Sequence, residues 1–216
     1  MQGQSPINYE DLHRLLDYWR GRSDFMMPAL IVLGCCTGFR ISELISLNVE
    51  DVLGADGSIK RLVTVARRNM KGHADTAGKQ GNKKSRTVKL SALAVTALDE
   101  WLPRLQTRAT YNKRQPLFIN RHNRRLTRFN AYHRMKAAAA ACGIQTRFAT
   151  HSMRKTFAKC VYDFKLANQA AGAPVDVLFE TSKALGHADT KSTAAYLSFC
   201  DAETDESFDA VGRALA

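Results

Sequence analysis

Hydrophobic residues recur with helical spacing along most of this sequence, and one stretch, residues 59–90, interrupts the pattern. Near the start, Leu12, Leu15 and Trp19 follow the i, i+3, i+7 spacing of one helix face. The interrupting stretch holds two short runs rich in valine and threonine on either side of a polar, glycine-containing loop, a pattern typical of a β-hairpin. We therefore predict a mainly α-helical fold with one small antiparallel β-sheet, an α+β fold.

Capping residues mark the ends of the predicted helices. Asn8 and Ser91 are good N-caps, and Gly21 and Gly143 follow stretches of helical spacing as stop signals. Because Pro103 lacks a backbone N–H group, we expect the helix that begins after Ser91 to end there. The other predicted elements are helices at 24–36, from 40, at 128–142, from 150, at 175–185 and at 192–199, and a short strand at 117–119.

Length and composition limit the kind of protein that this chain can be. The 216 residues suit one domain, spanning 1–216, and 45% hydrophobic residues are enough for a core. No apolar run approaches the roughly 18 residues of a membrane span, and the polar start does not read as a signal peptide. Five cysteines without a CxxC pair predict neither a disulfide framework nor a zinc site. We expect a cytoplasmic protein, not bound to membranes, with no metal and no small-molecule cofactor.

The positive charge of the chain is concentrated in its middle. The formal net charge is +12, yet residues 60–136 hold 20 basic and three acidic residues, whereas the rest holds 12 basic and 17 acidic ones. Such a one-sided segment repels itself unless it meets a polyanion, which predicts a nucleic-acid partner. A merely solvated basic surface is the alternative, and the acidic residues after position 200 predict that the tail docks on protein. The candidate DNA-binding residues are Arg67, Arg68, Lys83, Lys84, Arg86, Arg121, Arg124 and Arg125.

Four short motifs, far apart in the sequence, carry reactive side chains. They contain Arg40, then His151 and Arg154 three residues apart, then His187, then Tyr196. Cleavage of a phosphodiester without a metal needs such groups: a guanidinium matches two phosphate oxygens, a histidine donates or shuttles protons, and a tyrosine oxygen can attack phosphorus. Arg40 lies at a predicted helix start, where backbone N–H groups favour an anion. The i, i+3 spacing of His151 and Arg154 predicts that both project from one helix face.

In this order, with the local sequences TGFRISEL, HSMRKTFA, LGH and STAAYL, the chain resembles the catalytic domain of tyrosine recombinases, the phage integrase family, over residues 8–199. The resemblance implies an enzyme that breaks and rejoins double-stranded DNA through a 3′-phosphotyrosyl link to Tyr196, so that neither ATP nor a metal is required. It also implies a tetramer on DNA, with the carboxy-terminal segment 200–216 passed between neighbouring subunits.

The resemblance assigns roles to the other motif residues. Arg40 and Arg154 would clamp the scissile phosphate. His151 and His187 would serve as hydrogen-bond donors and proton carriers. Glu43 matches the acidic position of the first motif, where we expect it to orient Arg40 rather than act in the chemistry.

The family also uses a lysine of the β-hairpin as general acid for the leaving 5′ oxygen. The hairpin tip of this chain is long and holds several lysines. We choose Lys71, because it follows closely on the first strand, and Lys79 and Lys83 remain the alternatives.

One part of the usual family pattern is absent from this sequence, namely an amino-terminal helical domain that closes around DNA. We therefore expect either a naturally minimal recombinase or a fragment of a longer one. Two other functions stay open at this point: a non-catalytic DNA-binding regulator that keeps the fold, and a type IB topoisomerase, which has a similar active site.

Overall fold

The computed structural model describes residues 4–66, 85–174, 176–187 and 190–197, without the side chains of Ala195 and Tyr196. Helices dominate these residues, and the sheet among them has two antiparallel strands, so the predicted fold class is confirmed. The chain divides into two compact units, Met1–Phe157 and Ala158–Ala216. None of the helices in the described ranges is long and apolar enough to cross a bilayer.

The elements of the first unit are α1 (Tyr9–Arg20), α2 (Met26–Thr37), α3 (Ile41–Ser46), α4 (Val49–Val52), β1 (Leu62–Val65), β2 (Arg86–Lys89), α5 (Ala92–Gln106), α6 (Arg128–Ala141) and the start of α7 (Thr150–Ala170). The second unit holds the rest of α7, followed by α8 (Val177–Leu185) and α9 (Thr190–Leu197).

The core of the first unit is built around α2, which packs against α1, α3 and α5. This helix is apolar on nearly every side, as expected of a helix surrounded by others, and Leu30 at its centre is fully buried. The preceding helix α1 begins where its cap predicts, because the Oδ1 atom of Asn8 accepts the Asp11 N–H at 2.7 Å. Its apolar face, which includes Leu15 and Trp19, is buried.

The base of the predicted hairpin is confirmed. Val63 lies opposite Val88, and Val65 lies opposite Arg86 in the antiparallel register. Val63 and Val65 point into the core while Thr64 is exposed, which is the alternation of a strand with one buried face. The tip, residues 67–84, lies outside the described residues. It contains the predicted site residues Arg67, Arg68, Lys71, Lys79, Lys83 and Lys84.

Two expectations about this unit are wrong. The helix α5 does not end at Pro103 but continues to Gln106, and the extra turn buries Leu105 completely. The missing N–H group of the proline costs one hydrogen bond, which burial of a leucine side chain can offset.

Residues 117–119 form no strand: Leu117 and Phe118 are fully buried, and this segment makes only isolated bridges at its edges. A short apolar run does not by itself distinguish a strand from other buried backbone.

In the second unit, α8 and α9 pack against each other. The side chain of Asp176 caps α8 by accepting the Phe179 N–H at 2.9 Å. Gly186 ends this helix in the left-handed conformation, with φ of +66°, which a residue with a Cβ adopts only at a cost. The two helices begin within about two residues of their predicted starts.

Candidate active site

The turn between α2 and α3 carries the first candidate catalytic residue, Arg40. Gly38 ends α2 with φ of +61°, and a Cβ at this position would lie only 2.4 Å from a ring atom of Phe157. Both constraints demand glycine, which explains the Gly-Phe-Arg sequence of the motif. Arg40 then adopts an extended backbone and is the N-cap of α3.

Glu43 holds Arg40 by both its backbone and its side chain. One carboxylate oxygen of Glu43 accepts the Arg40 N–H at 2.8 Å, and the other accepts from Nη1 of Arg40 at 3.0 Å. The Glu43 side chain is 1% exposed, whereas that of Arg40 is 25% exposed. The carboxylate is thus buried behind the arginine, an arrangement that fits the predicted orienting role of Glu43.

The second candidate arginine reaches the same turn from α7. Arg154 is 1% exposed, and its Nη1 donates to the carbonyl oxygen of Gly38. The residue before it, Met153, lies so close to Gly34 of α2 that a Cβ there would be 2.6 Å from the Met153 sulfur. Close packing of α7 on α2 therefore brings the Arg154 guanidinium to Gly38, which lies two residues before Arg40 in the chain.

Arg86 approaches this turn from the base of the hairpin. Its Nη2 donates to the Thr37 carbonyl at 2.8 Å and its Nη1 to the Gly38 carbonyl at 3.3 Å, while its guanidinium carbon lies 5.1 Å from the ring centre of Phe39. Burial lowers the pKa of Arg86 to about 10, a shift that Glu43 opposes and Arg40 increases. Arg86 stays charged at neutral pH. Its guanidinium donates to protein backbone here, and the predicted contact of Arg86 with DNA stays a prediction.

His151 lies one helical turn before Arg154, yet it is exposed while Arg154 is buried. The His151 N–H donates to Oε1 of Gln4 at 2.7 Å. The histidine lines an open cavity of about 510 Å³, together with Arg128 and Tyr132 of α6. The motif therefore reaches from the core, where Arg154 meets the α2–α3 turn, to the surface.

The second unit carries the other two candidates, His187 and Tyr196. His187 follows the helix-ending Gly186, and its Nδ1 atom lies 2.8 Å from Oγ1 of Thr193 on α9. Tyr196 lies in the last turn of α9. His187 thus follows α8 and Tyr196 belongs to α9, and these two helices contact each other within one unit.

The basic residues between α5 and α6 are divided between surface and interior. Arg121 and Arg124 are exposed. Arg125 turns inward. Its Nη2 donates to Oδ1 of Asn48 at 2.7 Å, and its Nη1 donates to the carbonyls of Ile45 and Leu47. Burial lowers the pKa of Arg125. Arg121 and Arg124 thus remain accessible on the surface, whereas Arg125 holds this loop against α3 and the turn that follows it.

A basic cavity beside this loop was not predicted from the sequence. It has a volume of about 820 Å³, and its lining includes Arg22, Arg108, Arg121 and Arg134. Arg134 pairs with Asp24, and the other three leave the lining strongly positive. These arginines come from four separate segments of the chain, so the sequence offered only a weak signal for this cavity. Among the described residues, no group of three His, Cys, Asp or Glu side chains could hold a metal ion.

Comparison with known proteins gives matches in both sequence and fold. Residues 7–202 match the model of the phage integrase family. The tyrosine recombinase XerD of Oceanobacillus iheyensis is 28% identical over 193 residues, covering 88% of this chain and 56% of the relative. The XerD of Mycobacterium leprae is 31% identical over 175 residues, covering 78% and 46%. The chain thus spans about half the length of the curated relatives it matches.

Solved structures share the fold. The crystal structure of XerA recombinase matches with a TM-score of 0.63 at 22% identity, covering 89% of this chain and 58% of that one. The post-cleavage complex of XerH site-specific recombinase with palindromic difH substrate matches with a TM-score of 0.62 at 22% identity, covering 95% and 53%.

Proposed function

This chain belongs to the phage integrase family, and from that premise we propose that it is the catalytic part of a site-specific recombinase, which cleaves and rejoins DNA strands through a phosphotyrosyl link. The observation that carries this proposal is the α2–α3 turn. Arg40, held by the buried Glu43, and Arg154, bonded to Gly38, come from sequence positions more than 100 residues apart and meet at this turn.

The two arginines supply what the scissile phosphate needs. As a nucleophile adds, the phosphate gains negative charge, and guanidinium groups held in place stabilise that charge without reorganising. Arg154 is buried and Arg40 partly exposed, so the charge of this turn is preorganised in a site with little competing water. The orientation of Arg40 by Glu43 reduces the number of side-chain conformations that must be ordered when DNA binds.

The chemical step follows from the remaining candidates. The hydroxyl oxygen of Tyr196 attacks phosphorus as a candidate histidine accepts the hydroxyl proton. The bond from phosphorus to the 5′ oxygen breaks, and Lys71 donates a proton to that leaving oxygen. The product is a 3′-phosphotyrosyl ester and a 5′-hydroxyl end, and attack by another 5′-hydroxyl reverses the step. His151 and His187 donate hydrogen bonds to the phosphate and carry protons. Because the ester conserves the bond energy, rejoining requires no ATP.

The partner is double-stranded DNA, on which the protein assembles as a tetramer with segment 200–216 passed between subunits. The exposed Arg121 and Arg124 and the basic cavity beside them support the DNA contact, since phosphates are the groups that such arginines bind. A protein that acts on DNA and carries cysteines without a disulfide pattern is expected in the cytoplasm.

Covalent trapping tests this function. Duplexes that bind the full chain would first be selected from a random pool and then nicked close to the cleavage site. The short fragment that carries the new 5′ hydroxyl then diffuses away, and the covalent intermediate accumulates. We expect a denaturation-resistant adduct without added metal or ATP, mapped by mass spectrometry to Tyr196. Tyr196→Phe should abolish the adduct and keep binding, whereas Tyr9→Phe, a control at the exposed start of α1, should react normally. Binding without an adduct would favour the non-catalytic regulator, and an adduct on another tyrosine would overturn the assignment.

A further inference from the structure

The environment of His187 contains a closed ring of hydrogen bonds that the motif alone does not reveal. Three residues of the second unit form it: Ser182 of α8, His187 after that helix, and Thr193 of α9. The His187 N–H donates to the Ser182 carbonyl at 3.0 Å. The ring Nδ1 of His187 lies 2.8 Å from Thr193 Oγ1, and Thr193 Oγ1 lies 2.6 Å from Ser182 Oγ.

Burial makes this ring stiff. Thr193 is fully buried and Ser182 is 4% exposed, so both hydroxyl groups must satisfy their hydrogen bonds with protein partners. Ser182 holds the backbone of His187 from one side, and Thr193 holds its imidazole from the other. The left-handed Gly186 makes this geometry possible, because it lets the chain turn back so that the His187 N–H reaches Ser182.

We propose that Thr193, supported by Ser182, is a positioning residue that selects the tautomer and orientation of His187, so that the imidazole meets the substrate phosphate through a protonated Nε2. This inference rests on the proposed function, in which His187 is a hydrogen-bond donor. A neutral imidazole carries one proton, and the hydrogen bond made by one ring nitrogen decides where that proton lies. If Thr193 donates to Nδ1, the proton is on Nε2.

The hydroxyl pair also suits a histidine that gains and loses a proton. Each hydroxyl has one donor and two acceptor sites, and its hydrogen can rotate. With neutral His187, Ser182 donates to Thr193 and Thr193 donates to Nδ1. With charged His187, Nδ1 donates to Thr193, and the Thr193 hydroxyl turns to Ser182. The ring therefore holds the imidazole in one place in both charge states.

The first test measures the tautomer in the protein without DNA. The full chain would be labelled with ¹⁵N in its histidine rings, studied by NMR at a pH about two units above the usual histidine pKa of about 6.5, and assigned with His187→Gln. We expect wild type to show the Nε2–H form alone. Thr193→Val, which keeps the shape and removes the hydroxyl, should give a mixture of both tautomers, and Thr193→Ser should restore the single form.

A matched control is available one residue from Ser182. Thr181 is also fully buried, and its hydroxyl donates to the Val177 carbonyl at 2.7 Å, away from His187. Thr181→Val removes the same hydroxyl from the same helix pair and should leave the His187 tautomer unchanged. Ser182→Ala, which retains Thr193, should give a partial mixture, and it keeps the proposal testable if Thr193→Val fails to fold.

The second test measures the rate of adduct formation on the selected, nicked duplex. Loss of a group that orients a metal-ligating histidine typically costs about 10–100-fold, and we expect a decrease of the same order for Thr193→Val. DNA affinity should be unchanged, and Thr193→Ser and Thr181→Val should react nearly as wild type does. The inference would be overturned if folded Thr193→Val showed the Nε2–H tautomer alone and reacted at the normal rate. If Thr193→Val does not fold, the same result for Ser182→Ala would overturn it. Failure of wild type to form any adduct would instead overturn the proposed function, and the tautomer spectra would still decide whether Thr193 selects the tautomer of His187.

Discussion

The two candidate phosphate-binding arginines differ in how the protein holds them. Arg40 is partly exposed and is fixed by a salt bridge to the buried Glu43. Arg154 is buried and contacts the Gly38 carbonyl, so its position depends on the packing of α7 on α2. A side chain whose place is set by backbone contacts loses little entropy on binding a phosphate. Both residues should therefore contribute mainly to the charged transition state.

Substitution of these arginines should separate cleavage from binding. Arg40→Ala removes one guanidinium, and Arg154→Lys keeps the charge but loses the planar fork that matches a phosphate. We expect each variant to form the covalent adduct about 10²–10³-fold more slowly, with a far smaller change in DNA affinity measured by anisotropy. The exposed Arg124→Ala is the control and should weaken binding without slowing the bound complex. Rates within a few-fold of wild type for both variants would show that these arginines are structural.

Among the elements, the described base of the β-hairpin contacts the α2–α3 turn through Arg86. Arg86 begins β2, opposite Val65, and donates to the carbonyls of Thr37 and Gly38. These carbonyls lie at the C-terminal end of α2, which is the negative end of its helix dipole, where a cation is favourable. The base of the hairpin is therefore fixed to the residues that precede Arg40.

Removal of the Arg86 guanidinium should lower the stability of the protein. Arg86→Met takes the Arg86 donor from the Thr37 carbonyl, while the Gly38 carbonyl keeps its hydrogen bond from Arg154, and we expect the free energy of unfolding in urea to fall by about 1–3 kcal/mol. The control Lys89→Met removes the same charge from the exposed face of the same strand and should change stability by less than about 0.5 kcal/mol. If the two variants are equally stable, the contacts of Arg86 contribute nothing measurable.

The hairpin tip supplies the proposed general acid. A leaving 5′ sulfur needs no proton, so replacing the bridging 5′ oxygen with sulfur should restore cleavage by Lys71→Ala almost to the wild-type rate. On the normal substrate this variant should react slowly. The measurement is the ratio of the two rates for Lys71→Ala, Lys79→Ala and Lys83→Ala in parallel. Rescue of Lys79→Ala or Lys83→Ala alone would transfer the role to that lysine, and rescue of none would assign proton donation elsewhere.

Over the whole molecule, the charge distribution favours a polyanion. The excess of basic residues between 60 and 136 contrasts with the acidic remainder. Within the described part of this segment, Arg121 and Arg124 are exposed, and Arg121 also lines the basic cavity with Arg22 and Arg108. When exposed arginines neutralise phosphates, the counterions condensed on the DNA are released, so this surface should dominate the salt dependence of DNA binding.

Salt titration measures that contribution. The logarithm of the affinity should fall linearly with the logarithm of the salt concentration, with a slope of about −0.9 for each phosphate neutralised. Arg121→Ala and Arg124→Ala should each make the slope shallower by about one. Arg20→Ala, which removes an arginine bound to Glu100, should leave it unchanged. A slope near zero for wild type would contradict the DNA interpretation of the charge.

The sequence by itself determined most of the elements and named the candidate catalytic residues, although it did not predict α4, the last turn of α5 or the irregular backbone of residues 117–119. Helix caps such as Asn8 and stops such as Gly186 act on backbone groups within four or five residues, so their effect can be predicted locally. The hairpin base followed from the period-two pattern of β1. The motif order was sufficient for the family, because few other folds combine those side chains.

Only the tertiary structure decided where the arginines of the basic segment point. Arg86 and Arg125 look like Arg121 and Arg124 in the sequence, yet the carbonyls that bind Arg86 lie 48 and 49 residues away along the chain. The contact of Arg154 with Gly38 spans 116 residues. The hydrogen-bond ring around His187 likewise requires α8 and α9 to pack. A pattern read along the chain cannot predict such contacts, since they depend on how distant elements pack and on which buried carbonyls lack a donor.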